Sequence, residues 1–144
     1  MILTVFSLAM ASAFAGAALY INWSEQPARM GLDDRAMLRA WKPSYRRGFE
    51  MQASLAAVSG VLGVVAGIME HAPLACFGGG LMLANWPFTL LAIAPVNRAL
   101  GATEEAAADA STRQLMHRWG RLHAVRTALG CAGTALFVWA LAAA

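Results

Sequence analysis

The sequence predicts an all-α protein, a four-helix transmembrane bundle with a short outer hairpin and two longer cytoplasmic loops. Three observations carry this reading. Hydrophobic residues make up 59% of the chain and charged residues 13%, against roughly 45–50% and about 25% in an ordinary soluble domain. A single core formed by 144 residues has too little interior to hide that much apolar surface. The apolar residues also gather in four runs of about 20, the length at which a helix crosses a hydrocarbon layer about 30 Å thick. The length suggests one domain, residues 1–144.

The first helix is expected at about residues 2–23, where the run from Ile2 to Trp23 holds no charge. Ala11-Ser12-Ala13 resembles a signal-peptide cleavage site, but no Lys or Arg precedes the apolar stretch, and the stretch is too long for a signal core. It therefore reads as a retained span. The second helix covers about 47–69, with Glu50 near its start, and the third about 74–95. Only Glu70, His71, Ala72 and Pro73 separate these two, which makes them an antiparallel hairpin. The fourth helix covers about 120–143, with His123 and Arg126 in its first turn.

The remaining segments are polar and basic. Residues 24–48 carry Arg29, Arg35, Arg39, Lys42, Arg46 and Arg47, and residues 96–122 carry Arg98, Arg113, Arg118 and Arg121. Both lie on one side of the membrane, and the other side has no Lys or Arg. The positive-inside rule places these segments in the cytoplasm and both termini outside. The net charge of +3 thus reads as a topology signal, with the lipid bilayer as partner and no nucleic acid. Gly101 to Ser111, rich in Ala and acids, predicts a short interfacial helix, and Trp23, Trp41 and Trp119 predict an interfacial aromatic belt. Cys76 and Cys131 have no CxxC spacing and sit at different depths, so no disulfide or redox pair is expected. Gly63 and Gly67 form a GxxxG pair beside Gly60, Ala13 and Ala17 give a small-xxx-small pair, and Gly78 to Gly80 thin the third helix. Such positions serve helix packing in lipid, and the GxxxG pair alternatively serves a homo-oligomer contact.

Polar residues inside a membrane are costly and mark functional sites. Here they crowd the cytoplasmic half: Glu50 and Gln52 open the second helix, Asn85 and Thr89 share one face of the third, Asn97 closes it, and Trp119, His123, Arg126 and Thr127 line one face of the fourth. The pattern predicts a polar pocket open to the cytoplasm or the inner leaflet. Arg126 needs a carboxylate or must snorkel. Glu50 is the acid nearest its level, with Arg46 competing for it one turn earlier. Pro87 should kink the third helix between Asn85 and Thr89. His117, His123 and Glu50 have no spacing that fixes a metal site. No metal is assigned, and any cofactor is left unknown.

Four stretches resemble the anthrone-oxygenase-like family of small four-helix membrane proteins. They are Trp41-Lys-Pro-Ser-Tyr45 leading into Gly48-Phe-Glu-Met-Gln52; Trp86-Pro-Phe-Thr89; Ala94-Pro-Val-Asn97 with Arg98-Ala-Leu100; and Trp119-Gly-Arg-Leu-His123-Ala-Val-Arg126. The resemblance covers nearly the whole chain in order and spacing. It implies an oxygenase, since some fungal members are associated with oxidising anthrones to anthraquinones with oxygen and without an obvious cofactor. The short, Ala-rich chain looks bacterial, which implies a bacterial inner membrane. In this reading the catalytic residues are His123 as base, Arg126 as oxyanion stabiliser and Asn97 as a further donor, with Asn85 as the other candidate donor. Glu50, Gln52, Asn85, Thr89 and Trp119 would contact a lipophilic aromatic, anthrone- or quinone-like substrate. The alternative is a non-catalytic membrane module that binds lipid or a partner protein. A small multidrug-type transporter fits poorly, because the first helix carries no buried acid.

Overall fold

The computed structural model describes residues 1–144 and contains four long helices. We label them α1 (Ile2–Met30), α2 (Asp34–Met69), α3 (Pro73–Ala102) and α4 (Ala110–Ala142). Each is long and apolar enough to cross a membrane, and the chain is an integral membrane protein. The helices form a ring in which α1 and α3 each pack between α2 and α4.

The helices run further than hydropathy predicts. The segment expected as a loop over 24–48 is helix except for a turn at residues 31–33. Hydropathy registers only the apolar part of a helix, and here the helices continue beyond the apolar runs. The expected interfacial helix over Gly101–Ser111 does not form. Instead α3 runs to Ala102, a single 3₁₀ turn occupies Glu105–Ala107, and Asp109 caps α4 in a capping box with Thr112.

The basic side chains fasten this end. Arg113 donates to Asp34 Oδ1 at 2.6 Å and to the carbonyls of Met30 and Leu32 at 2.9 and 2.6 Å. It thereby joins the end of α1 to the start of α2. Lys42 donates to the Thr103 carbonyl at 2.7 Å, at the end of α3. At the hairpin end, Glu70 accepts from Leu3 N at 2.8 Å, Thr4 N at 3.3 Å and Thr4 Oγ1 at 2.7 Å. This satisfies the otherwise orphaned first amides of α1. The Thr4 hydroxyl, together with these amides, holds the Glu70 carboxyl down to about 2 from its usual 4.5.

Between the two ends the packing depends on small residues. A Cβ built on Gly79 would stand 2.7 Å from Gly60 O and from Val64 N, and one on Gly63 would stand 2.9 Å from Gly79 Cα. Gly67 faces Cys76 with equally little room. The GxxxG pair is thus used within the chain, between α2 and α3, and is not free for a second copy. Cys76 and Cys131 are free thiols.

Two wide turns interrupt the helices. Ile21–Glu25 of α1 and Thr89–Ile93 of α3 are π-helical. The second lies between Pro87 and Pro95, each of which lacks the amide that an α-turn needs.

Candidate active site

Trp119, His123 and Arg126 lie on one face of α4, at spacings of four and three. All three are buried. The residue that organises them is Asn22, in the π turn of α1. Its Nδ2 donates to the Gly120 carbonyl at 3.1 Å, which fixes the amide and leaves Oδ1 as acceptor. Thr127 Oγ1 donates to that oxygen at 2.6 Å, and His123 Nδ1 lies 2.8 Å from it. An amide oxygen can only accept, so the neutral imidazole carries its proton on Nδ1. Nε2 then presents a lone pair and has no protein partner. Gly120 permits this approach, since a Cβ there would stand 3.0 Å from Gln26 Nε2.

The indole of Trp119 stacks on His123, with ring centroids 5.1 Å apart, and donates from Nε1 to Asn97 Oδ1 at 2.9 Å. Trp41 meets Trp119 edge to face at 6.0 Å and stacks on Tyr45 at 4.6 Å. Behind this aromatic group lies Arg29. It donates to Gln26 Oε1 and Ser44 Oγ, both at 2.9 Å, stands 3.5 Å from Glu25, and faces the Trp119 ring at 5.7 Å.

These residues surround a pocket of about 300 Å³ of empty space, counted to its open mouth. His123, Arg126, Arg29, Gln52 and Tyr45 supply its polar wall, and Ile21 and Phe49 contribute apolar side chains. Within it there is room for a water-sized molecule but not for a fused ring system. Two of its side chains have unmet donors: Arg126 Nε and Gln52 Nε2 are buried without a protein acceptor. Arg126 forms no ion pair, and its guanidinium lies 5.6 Å over the ring of Phe14.

Of the residues expected at the site, the structure brings together His123, Arg126, Gln52 and Trp119. Asn97 does not line the pocket, and its Oδ1 is occupied by Trp119. Asn85 and Thr89 line a second, shallower groove between α2 and α3, shared with Phe49, Ala53 and Trp86. Asn85 donates back to the Leu81 and Met82 carbonyls, and its buried Oδ1 has no partner. The expected Glu50–Arg126 pair does not form. Glu50 is exposed and stands 3.7 Å from Arg46, one turn away on the same helix. The helical start of α2 turns Glu50 outward while Gln52 turns inward. His117 is exposed as well, so His117, His123 and Glu50 do not converge, and no three metal-binding side chains gather elsewhere. Trp41 and Trp119 are packed inside the bundle, whereas Trp23 faces outward.

Sequence reasoning missed Asn22, Arg29, Ser44 and Tyr45. Asn22 and Gln26 stand four apart, with Arg29 three further on, which is a one-face signal at the end of α1. The signal straddles the end of the apolar run at Trp23, so hydropathy alone does not carry it.

A family model described as anthrone oxygenase matches residues 41–136, two thirds of the chain. No curated protein and no solved structure matches significantly.

Proposed function

The chain belongs to the anthrone oxygenase family, and from that premise we propose that it is a membrane-embedded oxygenase acting on a lipophilic aromatic, anthrone-type substrate. The observation that carries this reading is the hydrogen bond between His123 Nδ1 and Asn22 Oδ1, which makes Nε2 the basic nitrogen of the neutral imidazole, in one pocket with two unmet donors, on Arg126 and Gln52. Proton abstraction next to a carbonyl needs that pairing, a base for the C–H and donors for the oxygen that becomes negative. Gln52 takes the donor role that the sequence suggested for Asn97, and Asn97 instead positions Trp119.

The reaction balances with dioxygen as oxidant. His123 Nε2 takes a proton from the ring methylene, and the electron pair delocalises onto the carbonyl oxygen held by Arg126 and Gln52. The carbanion carbon forms a C–O bond to oxygen, and the proton from His123 completes a hydroperoxide. Loss of the second methylene proton, with cleavage of the O–O bond, leaves a new carbonyl and one water. Tyr45, Phe49 and Trp119 supply the aromatic part of the lining, and a fused ring enters between them only as these side chains move apart.

The tight pocket favours a second reading, a non-catalytic module that binds lipid or a partner protein. Purified protein incubated with an anthrone under oxygen separates the two. The oxygenase reading expects quinone formation that falls about 10²–10⁴-fold in His123→Ala, the usual weight of a general base. Undiminished turnover in that variant refutes the assigned role. In our reading the membrane is a bacterial inner membrane, and the basic ends of the helices face the cytoplasm.

A further inference from the structure

Two arginines are buried at this end of the bundle, and the fold treats them differently. Arg29 has acceptors from Gln26 and Ser44 and a carboxylate, Glu25, at 3.5 Å. Arg126 is 7% exposed and has none of these. The groups around it come from three helices: the Phe14 ring from α1, Tyr45 and Gln52 from α2, and His123 from α4. Its one aromatic contact attracts the charge but accepts no hydrogen bond. Around the pocket the count is two guanidinium groups against one carboxylate, which already serves Arg29. Gln52 Nε2 adds a further unmet donor to the same wall. A buried charge without a counter-ion is strongly unfavourable, and a guanidinium matches a carboxylate or other oxyanion.

We infer that Arg126 and Gln52 form a ground-state anion site, and that the compound bound beside His123 is a lipophilic acid carrying a carboxylate or phenolate. This deepens the oxygenase reading and rests on its pocket, but it concerns binding and not turnover. The negative charge is present throughout the cycle, in addition to the one that develops on deprotonation. Either an aromatic acid or a fatty acid of the bilayer offers this chemistry, and the aromatic lining of Tyr45, Phe49 and Trp119 favours the aromatic acid.

The test is equilibrium binding by calorimetry to the intact protein in mild detergent. Anthraquinone-2-carboxylate is compared with anthraquinone-2-carboxamide, a pair alike in shape that cannot be turned over. One charge-assisted hydrogen bond corresponds to at least about tenfold tighter binding of the carboxylate. That ratio is expected to collapse in Arg126→Gln, to survive in part in Arg126→Lys, and to be unchanged in Arg118→Gln, an exposed control. Laurate competition separates the sources, since weak competition assigns the aromatic acid and strong competition overturns that choice. Equal binding of carboxylate and carboxamide to the unmodified protein overturns the anion site. A ratio that persists in Arg126→Gln overturns its assignment to Arg126. Absent turnover of an anthrone beside intact carboxylate preference would instead refute the oxygenase reading alone.

Discussion

Replacing Arg126 with Met should stabilise the ligand-free protein. Arg126 is 7% exposed, near the middle of α4, and its Nε lacks any acceptor. An arginine at the bilayer centre costs about 2.5–3.5 kcal/mol, an upper bound for Arg126, which lies in the first turn of the apolar span. The contact over Phe14, at 5.6 Å, returns about 0.5–2 kcal/mol. Methionine keeps the packing of the alkyl stem and removes the charge. The difference is a gain of at most about 3 kcal/mol. Denaturant unfolding in detergent, followed through the fluorescence of the five tryptophans, measures it. An acidic ligand should narrow or reverse the difference, because at a hundredfold excess over the parent's Kd the unmodified protein gains about 2.7 kcal/mol and a variant that binds about tenfold more weakly gains only about 1.4 kcal/mol. A variant less stable than the parent by about 1 kcal/mol or more, beyond the typical loss for any substitution, would show that the charge has a partner within the fold, and the reasoning would fail.

Other expectations concern separate parts of the molecule. Asn22→Ala frees the His123 tautomer, so turnover should fall about 10–100-fold, as for loss of other groups that orient a histidine; its pH–rate profile should shift as well, and an unshifted profile would reduce Asn22 to a packing role. Gln52→Leu removes an unpaired donor and should lower turnover by about tenfold or more while leaving stability within about 0.5 kcal/mol of the parent, both read on the same preparation. Gly79→Ala forces a Cβ against the backbone at Gly60 and Val64 and should cost about 1–3 kcal/mol of unfolding free energy. The Glu70 carboxyl, held at about 2 by Thr4 and the first amides of α1, has a folded value below its unfolded one. Its contribution is complete above the usual 4.5 and is lost as pH falls towards 2. Glu70→Gln should flatten the acid limb of the stability profile over that window.

The fold was legible because lipid imposes a coarse requirement. Four apolar runs of sufficient length allow little else, and the four residues Glu70–Pro73 dictate the hairpin. The site was only partly legible. His123, Arg126 and Trp119 share a helical face, which spacing reveals. Glu50 was misjudged because residues 34–48 were read as loop; once they are helix, Glu50 and Gln52, two positions apart, point in different directions. The contribution of α1 was invisible for a related reason. Arg29 looked like a loop cation obeying a charge rule, whereas its neighbours Gln26 and Ser44 hold it inside.

The π turn of α1 explains why its end reaches the site at all. Residues of α1 that meet α4 include Phe14, Asn22 and Gln26, with spacings of eight and four. At 3.6 residues per turn, twelve residues overshoot three full turns by about 120°. A straight α-helix would therefore carry Gln26 well off the face that holds Phe14. The wide turn at Ile21–Glu25 takes up the excess, since its residues advance by a smaller angle each. Asn22 can then bond His123 while Gln26 Nε2 reaches the Met116 carbonyl at 3.1 Å. The same alignment brings Arg29 over Trp119. The deformation thus does for α1 what ordinary periodicity does for α4, and the pocket exists where the two faces meet.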